Sequence, residues 1–139
     1  MTRALIVSGT HPRHLYVHRG ILSLFDDLLI VVMEREDTIP ITPDGLNSMD
    51  SRNYVRHYRE RAMVEQSAYG DLSASETFAD VRCLHVSPEH INSQTVYAAV
   101  KAFDADLAFV FGCNMIQDPI LRILPPISIN LHLGLSPWY

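Results

Sequence analysis

The chain has 139 residues, 47% of them hydrophobic and 19% charged, with a formal net charge of −5. That is enough chain for one domain with a real core. No apolar run approaches the roughly 20 residues that a membrane-spanning helix needs, and the acidic balance argues against nucleic acid as the main partner. The opening MTRALIVSGT holds an apolar run too short for the core of a signal peptide, with no small-residue cleavage site behind it, so it reads as a strand. Cys83 and Cys113 stand far apart without metal-ligand spacing. They read as buried free thiols of a protein in a reducing cytoplasm.

Arg3 to Ser8 (RALIVS) is a short apolar run closed by Gly9-Thr10, which predicts a buried strand and a turn. Pro12 suits the first turn of a helix reaching to about Phe25, with Thr10 as its N-cap. Leu28 to Met33 (LLIVVM) predicts a second strand. A loop with Pro40, Pro43 and Gly45 follows. Asp50 to Tyr69 lacks Pro and Gly and is dense in charge, so it predicts a long, largely solvated helix ended by Gly70. Leu72 to Asp80 reads as a loop and Val81 to Val86 as a third strand. Ser87-Pro88-Glu89 opens a helix predicted to run to about Phe103. Leu107 to Phe111 is a fourth strand closed by Gly112. Asp118-Pro119 starts a short helix that Pro125-Pro126 stops, and Ile127 to Leu133 is a fifth strand. Strands alternating with helices imply an α/β, Rossmann-like fold: a parallel sheet of about five strands with helices on both faces. Ligands of such sheets bind outside the carboxyl ends of the strands.

The fifth strand departs from the apolar pattern of the first, second and fourth. With period two, Ile127, Ile129, Leu131, Leu133 and Leu135 point one way, and Ser128, Asn130, His132 and Gly134 the other. Three readings are open: an edge strand with one solvated face, a buried pair bonded to backbone, or a pair projecting into a cleft at the strand's carboxyl end. Pro137 cannot continue a central ladder, so the chain turns there. In a cleft, the carboxamide of Asn130 is a neutral donor for an oxyanion, and the imidazole of His132 exchanges a proton near neutral pH. The pair suits attack of an amine on a carbonyl carbon, by direct transfer rather than through a covalent enzyme intermediate.

The segment NLHLGLSPWY, Asn130 to Tyr139, resembles the signature of the folate-dependent formyltransferases: Asn, an apolar residue, His, two residues, Leu, one residue, Pro. The order of predicted elements agrees with that family's N-terminal formyl transferase domain along residues 1–139. The resemblance implies transfer of a formyl group from 10-formyltetrahydrofolate to a primary amine of a small molecule, a sugar nucleotide being one compatible class. It implies Asn130 as the residue that binds the formyl oxygen and His132 as the catalytic histidine. Gly112, Cys113, Asn114, Met115 and Ile116 stand where the family's loop lines the pterin pocket. The family also uses an aspartate some tens of residues beyond the histidine, and an Arg-Gly after the signature. Neither falls within these residues, and no aspartate follows Asp118. The expectation is therefore of a domain incomplete at its C-terminal end, with little or no turnover by itself.

Thr10, His11, Arg13 and His14 lie between the first strand and first helix, where free helix N–H groups and a guanidinium suit an anion. In the family resembled, this region can hold a substrate phosphate; an ordinary capped helix start is the alternative. His11, His14 and His18 invite a metal reading, since His14 and His18 share a helix face, but no carboxylate or cysteine nearby in sequence completes a site, and exposed or capping histidines are expected. His57, Arg61 and Glu65, with Tyr54, Tyr58 and Tyr69, read first as a solvated face carrying an Arg61–Glu65 pair. A substrate-facing or dimer-facing helix is the alternative. Three rivals stand beside formyl transfer: a non-catalytic folate- or ligand-binding module that self-associates through an exposed last strand, a dinucleotide enzyme, for which the G-x-G-x-x-G turn is missing, and formyltetrahydrofolate hydrolysis.

Overall fold

The computed structural model describes residues 2–34, 39–70 and 72–132. Five strands, β1 (Arg3–Gly9), β2 (Asp27–Met33), β3 (Arg82–Val86), β4 (Leu107–Phe111) and β5 (Ile127–Asn130), form one sheet in the order β3-β2-β1-β4-β5. Every neighbouring pair is parallel. The chain builds outward from β1 through β2 to β3, then crosses back to lay β4 and β5 on the other side. The Rossmann-like α/β architecture expected from the alternation is thus present, and its topological switch point lies between the carboxyl ends of β1 and β4.

Alternation along the central strands feeds two cores. Leu5, Val7, Leu29, Val31 and Met33 face one side, where α4 (Gln94–Phe103) covers them with Val96, Val100 and Phe103, joined by Ile120 of α5 (Ile120–Ile123). Ala4, Ile6, Leu28, Ile30 and Val32 face the other, under Leu15 of α1 (Pro12–Leu22) and Phe78, which follows the short α3 (Ala74–Thr77). Full burial of each such side chain stabilises by about 1.5–3 kcal/mol. Continuous apolar strands are what a sheet covered on both faces requires. The long helix α2 (Ser48–Tyr69) is capped by Asn47, whose side chain accepts from the Met49 and Asp50 N–H groups, and it ends at Gly70 with φ +73°.

Several boundaries differ from the sequence expectation. The first helix stops at Leu22, not Phe25, and its N-cap is His11, with no side-chain cap, rather than Thr10. The stretch 72–80 is not wholly loop, because Ser73 caps α3. The helix expected from Ser87 to Phe103 is two pieces: a 3₁₀ turn at Pro88–His90, then α4, started afresh by Ser93 accepting from the Val96 N–H. The fifth strand ends at Asn130 rather than Leu133, which lies outside the described residues together with Gly134, Leu135, Pro137 and the rest of the signature. None of the described helices is long and apolar enough to cross a membrane.

Candidate functional site

The carboxyl ends of β1 and β4 are brought together by two glycines and a histidine. Gly112 closes β4 at φ +62°, a conformation that favours glycine. A Cβ there would land on the His14 ring, and a Cβ on Gly9 would lie 2.5 Å from the Gly112 carbonyl oxygen. His14, only 6% exposed, therefore fills the space that both glycines leave at the switch point, its ring packed edge-on to Phe111 and His11.

Beyond Gly112 the loop 113–116 is tied down by polar contacts. Asn92, in the joint between the 3₁₀ turn and α4, donates to the Met115 carbonyl at 3.0 Å and accepts from the Gln117 N–H at 2.8 Å. The Asn114 N–H donates to the Met33 sulfur at 3.3 Å, and its side chain donates to the Pro88 carbonyl at 3.4 Å. The break in the predicted helix has this consequence: it frees Asn92 to hold the loop. Sequence reasoning missed Asn92, although Asn92-Ser93 inside an expected helix is itself a cap signal.

β5 pairs with β4 so that Asn130 stands beside Val110, with the Leu131 N–H donating to the Val110 carbonyl. All four β5 residues are exposed, and so are Leu131 and His132. Burial of Asn130 and His132, one of the readings open from sequence, is thereby corrected: within the described residues β5 lies at the sheet edge with no layer over it. Both side chains nonetheless border concave surface. One cavity, of about 370 Å³, joins Asn130 and His132 to the whole of Gly112–Ile116, with Leu121 and Leu124 as its apolar wall. A second, of about 530 Å³, lies toward α1 and is walled by Arg13, His14, Tyr16, Val17 and Tyr69. Phe111, Gly112, Cys113, Leu131 and His132 line both, so the end of β4 and the start of the signature form the ridge between them.

The residues expected to hold an anion are split. Arg13 and His14 line the second cavity, His11 lines a third against α2, and Thr10 lines none of the three. The charged face of α2 is also not simply solvated. Glu65 is the one buried residue of that helix. It accepts from Arg13 of α1 and pairs with Arg61 at 3.7 Å. The Arg61–Glu65 pair was legible from i,i+4 spacing, whereas the long-range partner Arg13 was not.

No protein-family model matches the chain, and no curated protein matches it significantly.

Two other expectations change. His14 and His18 are buried, not exposed or capping. His18 packs edge-on to Phe78 and beside Phe111, bonded to Ser8 Oγ of β1, and burial lowers its pKa to about 4. The ring is therefore neutral near pH 7. Ser8 Oγ also reaches the Gly9 carbonyl at 3.2 Å. A hydroxyl that donates there must accept from His18 Nε2–H, which leaves Nδ1 as a bare lone pair without a partner. Both cysteines are half-buried, and burial pushes the Cys83 thiol up to about 11. Among the described residues, no three His, Cys, Asp or Glu side chains are grouped to hold a metal.

Proposed function

We propose that this chain carries the donor half of a formyl-transfer site, binding 10-formyltetrahydrofolate and presenting its formyl carbon to a primary amine. The observation that supports this best is the ridge at the end of β4 and β5: Asn130 and His132 border the cavity formed by Gly112–Ile116, and His132 also borders the cavity toward α1. A folate in the first cavity and an amine in the second would meet there. Asn130 would donate from its carboxamide to the formyl oxygen as negative charge develops. His132 would steady that charge and take part in proton movement between the incoming amine and the departing N10 of the folate. The loop Asn114–Ile116, fixed by Asn92 at Met115 and Gln117, would line the pterin edge with those backbone groups not already bonded to Met33 and Asn92.

The donor itself provides the test. Residues 1–139 should bind 10-formyltetrahydrofolate more tightly than tetrahydrofolate, as read by titration calorimetry, and Asn130→Ala should erase most of that difference. Equal affinity for both folates, or a preference unchanged in Asn130→Ala, would contradict the proposal.

A further inference from the structure

Helices α1 and α2 meet in two rungs about one turn apart. Arg13 pairs with Glu65, and the ring of Tyr16 lies 5.0 Å from that of Tyr69, tilted by 39°. Tyr69 is the last residue of α2 and stands four positions after Glu65, so both rungs use one face of that helix. On α1, Arg13, Tyr16 and Val17 share a face at three- and four-residue spacing, while Leu15 and His18 turn into the core. That face of α1 and Tyr69 wall the proposed amine cavity, of about 530 Å³, which Phe111 and Leu131 also line and which reaches the ridge at His132. We propose that the amine substrate bears its amine on a flat aromatic ring, and that this ring stacks on the Tyr16–Tyr69 pair. That the ring belongs to the amine rests on the formyl-transfer proposal; the ring site itself does not.

Exposure separates this pair from one that only ties two helices together. The rings that pack the core are closed off, Phe78 and Phe111 each being 5% exposed. Tyr16 is 59% exposed, and it borders a concave surface rather than open helix. An open tyrosine at a cavity wall offers a π face and a phenol edge to whatever enters. Small-molecule pockets are built in this way, from aromatic and aliphatic walls with a few polar groups that fix orientation. Here the polar groups lie at the ridge, where Gly112, Cys113 and His132 are shared with the folate cavity. The wall therefore orders the ligand, with its ring against the tyrosines and its amine at the ridge. A flat ring suits such a wall better than a flexible chain does: it has little conformational freedom to lose on binding, and its face and edge complement those of tyrosine. The volume holds a ring with a short arm.

Benzylamine and cyclohexylmethylamine test the ring directly, because they match in charge and size and differ in flatness. In residues 1–139, backbone amide shifts at Tyr16, Val17 and Gly112 should saturate with benzylamine in the millimolar range expected of so small a ligand. Cyclohexylmethylamine should bind about fivefold more weakly. Tyr16→Leu should bring the two amines within about twofold of each other, whereas Tyr16→Phe, which keeps the ring, should preserve the preference. Both substitutions fall on an exposed side chain, so both variants should melt close to the parent. Equal affinity of the parent for the two amines, shifts centred away from Tyr16 and Gly112, no shift at about 20 mM benzylamine, or a preference that survives Tyr16→Leu would overturn the proposal. The benzylamine preference in a chain that binds no folate would support the ring site while counting against formyl transfer. Folate binding without that preference would overturn the ring site alone.

Discussion

Acid should loosen this fold through one residue, His18. The ring is wholly buried between α1 and the sheet, and burial lowers its pKa from 6.5 to about 4. In the unfolded chain the same group takes up a proton near its ordinary value. Between those two values the unfolded state binds the proton and the folded state does not, so acid favours unfolding. The stability contributed by keeping His18 neutral is complete above about pH 6.5. It is lost progressively as the pH falls toward 4. At about 1.4 kcal/mol per pH unit, the gap is worth about 3 kcal/mol, a large share of the 5–15 kcal/mol typical of a whole domain. His18→Gln keeps a polar amide within reach of Ser8 and removes the titration. Urea unfolding at a series of pH values from 7.5 to 4 should give two curves, with the parent losing about 3 kcal/mol more than the variant over that range. Parallel pH profiles would refute the reasoning, because they would mean the proton finds His18 as easily in the folded state as in the unfolded one.

Other outcomes follow from the same packing. Gly112→Ala combines a positive φ with a collision against His14, and should cost about 2–4 kcal/mol in thermal or urea unfolding, whereas Gly20→Ala, with open space around its Cα, should not destabilise. Glu65→Ala leaves Arg13 and Arg61 without their shared carboxylate and should cost about 2 kcal/mol by urea unfolding, more than Glu60→Ala on the exposed pair with Arg56. Asn92→Ala removes two hydrogen bonds that fix the loop; amide exchange at Met115 and Gln117 should quicken, with global stability falling by only about 1 kcal/mol. At pH 8, Cys83 should alkylate about 100-fold more slowly than an ordinary thiol, read by peptide mapping after a timed iodoacetamide pulse, because so little thiolate forms.

The strands were legible because a parallel sheet covered on both faces demands apolar residues at every position. RALIVS and LLIVVM leave no other role open, and both fell within a residue or two of their place. Asn130 and His132 drew notice for the opposite reason, as polar residues in an apolar stretch, and the structure puts both beside the loop after β4, with only Asn130 in the strand itself. Much of what failed depends on contacts distant in sequence. Nothing near His18 in the chain announces Phe78 and Phe111, so a core histidine passed for an exposed one. Arg13 and Glu65, 52 positions apart, could meet only once α2 lay across α1. The break before α4 was a local signal overlooked, since Ser87-Pro88 is so good a helix start that the second start at Ser93 went unread. Thr10 lost the cap position because His11 already has the extended backbone that precedes Pro12.

The central claim is that the folate cavity lies between Gly112–Ile116 and Asn130. It is tested most directly by following backbone amide shifts in residues 1–139 while adding 10-formyltetrahydrofolate. The account expects saturable shifts at Gly112 to Ile116 and at Ile129 to His132, with the amino-terminal ends of the strands, at Arg3, Asp27 and Leu107, unmoved. Shifts centred anywhere else, or none at about 1 mM folate, would contradict it.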